Sequence, residues 1–438
     1  MDIASLYHIF QRHPQVTTDS RYCPEGAMFF ALKGERFNGN AFAAKALESG
    51  CAYAVVDETA FADSADKRYI LVDNVLQTLQ QLANYHRRHV GTLIIGVTGT
   101  NGKTTTKELM ATVLKQVHRV LYTEGNLNNA IGVPLTLLRL TPDHDIAVVE
   151  MGASHPGDIR ELVEIAEPDM GIITNVGMAH LQGFGSFEGV MRTKGELYDF
   201  LRAKSGATVF INNDSPHLAA MADGLNLIRY GKPDDAAALR VSGEVVDCAP
   251  CLRFRWRMGN SAWREVQTNL IGSYNLDNML AAAAVGLYFG VTPAQVDAAL
   301  AGYVPQNNRS QLRETGHNHL IVDAYNANPT SMAAALNNFR SMEVAPKMVI
   351  LGDMMELGTC STTEHCKVVE QLQEAALERV CLVGQEFASA AFGKGTEFLL
   401  FDNVDQLCSE LAKEQISGYY ILIKGSNSMR LAQAAELL

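Results

Sequence analysis

A chain of 438 residues is too long for one ordinary domain and fits two or three. With 47% hydrophobic and 19% charged residues it is globular rather than disordered. A formal net charge of −12 argues against nucleic acid or an anionic membrane surface as the main partner, since both reward a basic face. An anionic small substrate would need local Lys and Arg positions.

The first residues, Met1-Asp2-Ile3-Ala4-Ser5, lack a basic segment followed by an apolar run, so no signal peptide is expected. Up to about residue 90, short apolar runs (Ala27–Leu32 and Ala52–Val56) alternate with helical texture such as Phe42–Glu48. Leu76–His89 is a polar-faced helix leading into a new unit. That unit opens with Leu93–Thr98, a continuous apolar run of strand length, followed by a Gly-rich turn and helical spacing over Thr104–Val117. Further buried strands are expected at Ile146–Val149, Gly171–Thr174 and Thr208–Ile211, which with the intervening helices implies a parallel sheet covered on both faces.

From about 240 to 272 the texture changes. Arg253-Phe254-Arg255-Trp256-Arg257 alternates like a half-exposed antiparallel strand, and Ala281–Leu287 reads as a buried helix. The apolar window Ala281–Val291 is shorter than the roughly 20 residues a membrane span needs. A third segment starts near Arg309. Strands are expected at Leu320–Val322, Met348–Leu351, Arg379–Val383 and Tyr420–Ile423, with helices at Met332–Phe339, Glu364–Leu377 and Val404–Leu411 between them. This is Rossmann-like texture. The eight cysteines are scattered, and the C-x-x-C at Cys248-Ala249-Pro250-Cys251 has no second pair or nearby His to complete a zinc site. Free thiols suit a reducing compartment, so a cytoplasmic location is expected.

The chemistry centres on Gly99-Thr100-Asn101-Gly102-Lys103-Thr104-Thr105, set between an expected strand and an expected helix. Glycines let backbone N–H groups approach phosphate oxygens, and a helix N-terminus adds positive partial charge. Lys103 can reach terminal phosphates, and the Thr104 hydroxyl is placed to hold Mg²⁺. The loop departs from the Walker pattern, because Val97 stands five residues before Gly102 and the glycine lies one earlier, at Gly96. Glu150 ends an apolar run and so emerges at a strand's C-terminal edge, where α/β sheets place ligands. His180 follows the next strand; an isolated His is more often a packed or surface residue.

The loop, Glu150-Met151-Gly152-Ala153, Asn175-Val176-Gly177 with Ala179-His180, and Thr193-Lys194-Gly195-Glu196 together resemble the Mur ligases. Asp323-Ala324-Tyr325-Asn326-Ala327-Asn328-Pro329 and Leu351-Gly352-Asp353-Met354-Met355-Glu356-Leu357-Gly358 point to the member that joins D-alanyl-D-alanine to a UDP-N-acetylmuramoyl-tripeptide through an acyl phosphate. Asp19-Ser20-Arg21 and Phe30–Phe37 resemble that member's UDP-binding region.

The resemblance implies an α/β chain of three domains. These are an N-terminal UDP-sugar-binding domain (1–91), a central P-loop parallel-sheet ATPase domain (92–306) and a C-terminal Rossmann-like domain (307–438). Hinges are expected near 88–92 and 303–309.

ATP and Mg²⁺ are the implied cofactors, the peptide substrates the implied partners, and a monomer the expected state. By the same resemblance, one Mg²⁺ takes Thr104 and Glu150, and a second takes His180 and Lys194 as a carbamate. Asn278 contacts adenine, Arg309 lies near the phosphates and Asp323 near the ribose. Asn326 and Asn328 contact substrate in the closed site, and Ser20, Arg21 and Lys33 serve the UDP-sugar. Departures from the family pattern are Asn40 in Asn38-Gly39-Asn40, Tyr274 in place of a histidine, and Asn427 after Lys424-Gly425-Ser426, with Arg430 three residues on. Other Mur ligases, folylpolyglutamate synthase and a non-catalytic ATP-gated binding protein remain as alternatives.

Overall fold

The computed structural model describes residues 1–234, 238–306, 309–394 and 398–438. Three sheets organise the chain. The first is a parallel four-stranded sheet in the order 16–17, 28–30, 53–56, 69–71. The helix Val75–Val90 leaves it, capped by the Asn74 side chain at one end and by left-handed Gly91 at the other. This helix packs its Leu79, Leu82 and Ala83 into one apolar cluster with Leu137, Ile159 and Leu162 of the next unit.

The second sheet has nine strands, and Leu93–Thr98 is the third from one edge. Strand 93–98 lies between 146–150 and 170–173, both parallel to it. All three are buried on both faces, which explains their continuous apolar runs. Past Leu227–Gly231 and Val241–Cys248 the sheet turns antiparallel through Cys251–Met258 and Arg264–Ile271. In Cys251–Met258 the even-numbered Leu252, Phe254 and Trp256 are buried under the helix Leu276–Tyr288, as the alternation predicts.

The third sheet has six strands in the order 311–314, 319–323, 420–424, 347–352, 379–383, 399–401, parallel except for the first pair. An apolar cluster covers each face. Element ends differ from the sequence reading by a few residues. The helix after the Gly-rich turn ends at Leu114 rather than Val117, and the helix expected over 364–377 runs Ser361–Gln373. In the expected hinge at 303–309, Asn307 and Asn308 lie outside the described residues. Among the described residues no helix is long and apolar enough to cross a membrane.

Candidate active site

A cleft of about 620 Å³ opens where the central sheet meets the third sheet. Its floor is the Gly-rich turn. Gly99 has φ of +142° and Gly102 of +77°. A side chain at Gly99 would strike the Thr174 hydroxyl at 2.0 Å, and one at Gly102 the Asn278 amide oxygen at 2.6 Å. Asn175 secures the turn, accepting from the Thr100 N–H through its carbonyl and from the Asn101 N–H through its side chain, both at 2.9 Å. Thr100, Asn101, Gly102, Lys103 and Thr105 line the cleft, while Gly99 and Thr104 are buried beneath it.

The Lys103 ammonium donates to the carbonyls of Gly99 (2.8 Å) and Thr100 (3.0 Å), a basket ready to be exchanged for phosphate oxygens. Burial pushes its pKa down to about 8; Glu150 opposes the shift and Arg309 adds to it.

Glu150 is 1% exposed. Its Oε1 accepts from the Thr104 hydroxyl at 3.2 Å and from Asn128 at 2.9 Å. Its Oε2 has no hydrogen-bond partner and faces the Lys107 ammonium at 3.5 Å. Burial alone would raise the carboxyl pKa, but Lys107, Lys103 and Asn128 bring it below the ordinary value. A buried anionic oxygen with spare coordination, beside a threonine hydroxyl, fits a divalent cation. Among the described residues no cluster of three or more His, Cys, Asp or Glu could hold a metal.

His180 lines the cleft at the start of a short helix, with φ of +50°. Its Nδ1 meets Glu356 Oε2 of the third-sheet unit in an ion-pair contact that is not aligned as a hydrogen bond. Lys194, on the helix Phe187–Ala203, is 2% exposed. Phe184 is near both, its ring 6.2 Å from the His180 ring and 5.5 Å from the Lys194 ammonium. Burial lowers the pKa of both groups, Lys194 well below its ordinary value, and Lys103 adds to each shift.

The opposite wall belongs to the third sheet. Arg309 stacks on Tyr325 at 3.8 Å, with its Nε unpartnered. Asp323 accepts from Lys424 at 2.5 Å and from the Ser310 N–H at 3.3 Å. Asn326 lines the cleft and folds its side chain back onto the Ala327 N–H. Asn278 also lines it, accepting from Thr106 at 3.0 Å. Tyr274, of the central unit, shares a hydrogen bond with Ser310 at 2.7 Å and also lines the cleft. Asn328 does not line the cleft. It caps the helix Pro329–Ser341 and bonds to Asn101. Asn427 and Arg430 are exposed, whereas Lys424 reaches the cleft.

Ser20, Arg21 and Lys33 sit on the first unit and are not part of this cleft. Arg21 is exposed and paired with Asp19 at 2.8 Å, and Lys33 bridges Asp57 and Glu58. Asn40 is buried and braces Asp57 in both directions at 2.9 Å. Cys248 and Cys251 are free thiols flanking a hairpin turn. The sequence reading missed Lys107, Asn128 and Asp57 altogether and took Glu356 only as part of a motif. Lys107 meets Glu150 from a distant strand, so nothing local in the sequence signals its burial.

Three family models match the chain: "Mur ligase family, catalytic domain" over residues 14–87, "Mur ligase middle domain" over 97–286, and "Mur ligase, glutamate ligase domain" over 308–427. The UDP-N-acetylmuramoyl-tripeptide--D-alanyl-D-alanine ligases of Bacillus subtilis (strain 168) and Escherichia coli (strain K12) are 35% and 34% identical to it. They cover 96% and 97% of this chain and are themselves covered over 92% and 93%. MurF from Acinetobacter baumannii superposes with a TM-score of 0.85 at 31% identity, covering 97% of this chain and 93% of its own. MurF ligase from Thermotoga maritima in complex with ADP gives a TM-score of 0.84 at 28% identity, with 97% and 96% covered.

Proposed function

This chain belongs to the Mur ligase family, and on that premise we propose that its cleft joins D-alanyl-D-alanine to a UDP-N-acetylmuramoyl-tripeptide, converting ATP to ADP and phosphate. The observation that carries the reading is that the phosphate loop, Arg309 and Asp323 face one cleft from two separate sheets. The tripeptide carboxylate takes the γ-phosphoryl group, giving an acyl phosphate and ADP. The dipeptide amine then attacks the acyl carbon, phosphate departs, and the nitrogen loses a proton as the amide forms.

The residue roles rest on the family resemblance, and charge accounts for the phosphate contacts among them. The turn's N–H groups and Lys103 hold the phosphates, Arg309 neutralises charge that develops on the transferred group, and Asn278 and Asp323 serve adenine and ribose. Thr104 and Glu150 would hold one Mg²⁺, and His180 with carbamylated Lys194 a second. The spare Glu150 oxygen supports the first pair, and the depressed Lys194 amine supports the modification. Bound there, magnesium offsets the repulsion between carboxylate and γ-phosphate. Ser20, Arg21 and Lys33 are assigned to the UDP-sugar, and Asn326 to the closed peptide site. The unit boundaries 1–91, 92–306 and 307–438 and a monomer in the cytoplasm complete the reading.

Phosphate release with a panel of UDP-sugar tripeptides tests it. Release is expected only when both the tripeptide and D-alanyl-D-alanine are present. Turnover without the peptides, or equal turnover with glutamate or single amino acids, would overturn it.

A further inference from the structure

Glu356 is a carboxylate of the third-sheet unit placed against a candidate metal ligand of the central unit. The loop that carries it is held at several points. Asp353 accepts from the N–H groups of Glu386 (3.1 Å) and Phe387 (3.0 Å), at the start of the helix Gln385–Ala391. The Met354 N–H donates to His365 Nε2 and the Met355 N–H to the Ser426 hydroxyl, both at 3.0 Å. Glu356 then adopts φ of +63°, a left-handed conformation unfavourable for a side chain of its length. Its carbonyl accepts from the Gln182 N–H at 3.2 Å, two residues beyond His180. Both ends of the Glu356–His180 contact are therefore set by backbone, not by free side chains.

A neutral imidazole binds metal through one nitrogen only while the other carries the proton, and a carboxylate beside that second nitrogen selects the tautomer. An ionised carboxylate only accepts. Glu356 faces Nδ1 as an ion pair without an aligned hydrogen bond, so its charge favours the proton on that nitrogen and leaves the Nε2 lone pair for a cation. We propose that Glu356 is the positioning residue that fixes His180 for metal binding, and that it is supplied only when the third-sheet unit docks on the central one. The proposal rests on reading His180 as a ligand of the second metal. Its consequence is that docking and the second metal reinforce each other, because an undocked unit leaves the His180 ring free to change tautomer.

The test uses the full chain with a non-hydrolysable ATP analogue and Mn²⁺ as the probe. Free Mn²⁺ is counted by electron paramagnetic resonance, and long-range ¹H–¹⁵N spectra report histidine tautomers. His180→Gln identifies the His180 signal among the twelve histidines. Wild type is expected to bind two Mn²⁺ with His180 protonated at Nδ1. Glu356→Ala should weaken the second Mn²⁺ by about 10–100-fold and release the tautomer. Glu356→Gln, which keeps the length but loses the charge, should recover little of either. Glu356→Asn suits a left-handed backbone but is a methylene too short, so it should behave like the alanine variant without risk to the loop's folding. If His180→Gln loses the second Mn²⁺ while Glu356→Ala and Glu356→Asn keep it and its tautomer, the proposal is overturned. Should His180→Gln still bind two Mn²⁺, the metal assignment of His180 fails and the proposal with it.

Discussion

Asn101 and Asn328 join their side-chain amides between the central and third-sheet units, Asn328 donating to Asn101 Oδ1 at 2.8 Å and Asn101 donating back at 3.4 Å. Asn101 belongs to the phosphate turn, and its backbone is already engaged by Asn175 and Thr174. Asn328 is the N-cap of Pro329–Ser341, accepting from the Ser331 N–H at 2.9 Å. One residue thus caps a helix of the third-sheet unit and ties that helix to the turn expected to hold phosphate. Met178 N–H donating to the Thr330 hydroxyl at 3.3 Å adds a second tie beside it.

The two duties of Asn328 can be separated. Asn328→Ser keeps a capping oxygen but cannot reach Asn101, so it should lower turnover and raise the KM for ATP at nearly unchanged stability. Asn328→Ala should show the same kinetic defect plus a loss of about 1 kcal/mol, the usual cost of a missing cap. Small-angle scattering with UDP-tripeptide and an ATP analogue should show a smaller radius of gyration than without ligands in wild type, and a weaker contraction in Asn328→Ser. Identical contraction in both proteins would mean that the tie does not hold the units together.

Lys107 is completely buried and faces Glu150 Oε2. Removing one partner of a buried pair leaves the other charge uncompensated, at a cost of about 3–5 kcal/mol. Lys107→Met should therefore lower stability in denaturant titrations by roughly that amount. Lys107→Met combined with Glu150→Gln should recover much of the stability and none of the activity, because Glu150 is the residue proposed to hold the cation. Additive losses in the double variant would show that the two groups do not interact.

How much of this was legible beforehand follows from how local each feature is. The turn between Leu93–Thr98 and Lys103–Leu114 was readable because its glycines, lysine and flanking strand are contiguous. The central strands were readable because burial on both faces makes them uninterrupted apolar runs. The alternation in Cys251–Met258 announced an antiparallel strand with one covered face. What escaped depends on partners remote in sequence. Nothing near Lys107 says that its ammonium meets Glu150, and nothing near Asn328 says that it meets Asn101. Asn40 shows the same limit: it looked like a lost ligand contact, yet its amide braces Asp57, which also pairs with Lys33.

His86 links the first unit to the second. Its Nε2–H donates to the Leu140 carbonyl at 2.9 Å, and its Nδ1 accepts from the Tyr7 hydroxyl at 3.2 Å. Both bonds are satisfied by the neutral ring, and burial lowers its pKa below the ordinary 6.5. A lowered folded pKa means that the unfolded chain binds more protons below about 6.5, so stability falls as pH drops from that value. Wild type should lose stability in denaturant titrations between about pH 6.5 and 5 more steeply than His86→Gln. Equal slopes would show that His86 does not govern this window.

Lys194 offers the most direct test of the second cation's environment. Burial and the nearby Lys103 favour its neutral amine, the form whose lone pair adds to carbon dioxide. The new N–C bond forms as the nitrogen loses a proton, and the product is a carbamate anion close to the cationic Lys103. On the proposed reading, Lys103 and a magnesium ion would together offset the cost of burying that anion. Lys194→Ala should lose roughly 10²–10³-fold in turnover, on the scale of removing one preorganised charged group. A short carboxylic acid able to occupy the vacated space should restore part of it. Carbon-13 bicarbonate should give a carbamate resonance in wild type that Lys194→Ala lacks. Full activity at saturating bicarbonate with no such resonance would show that Lys194 works unmodified, and the second cation would then need another anionic ligand.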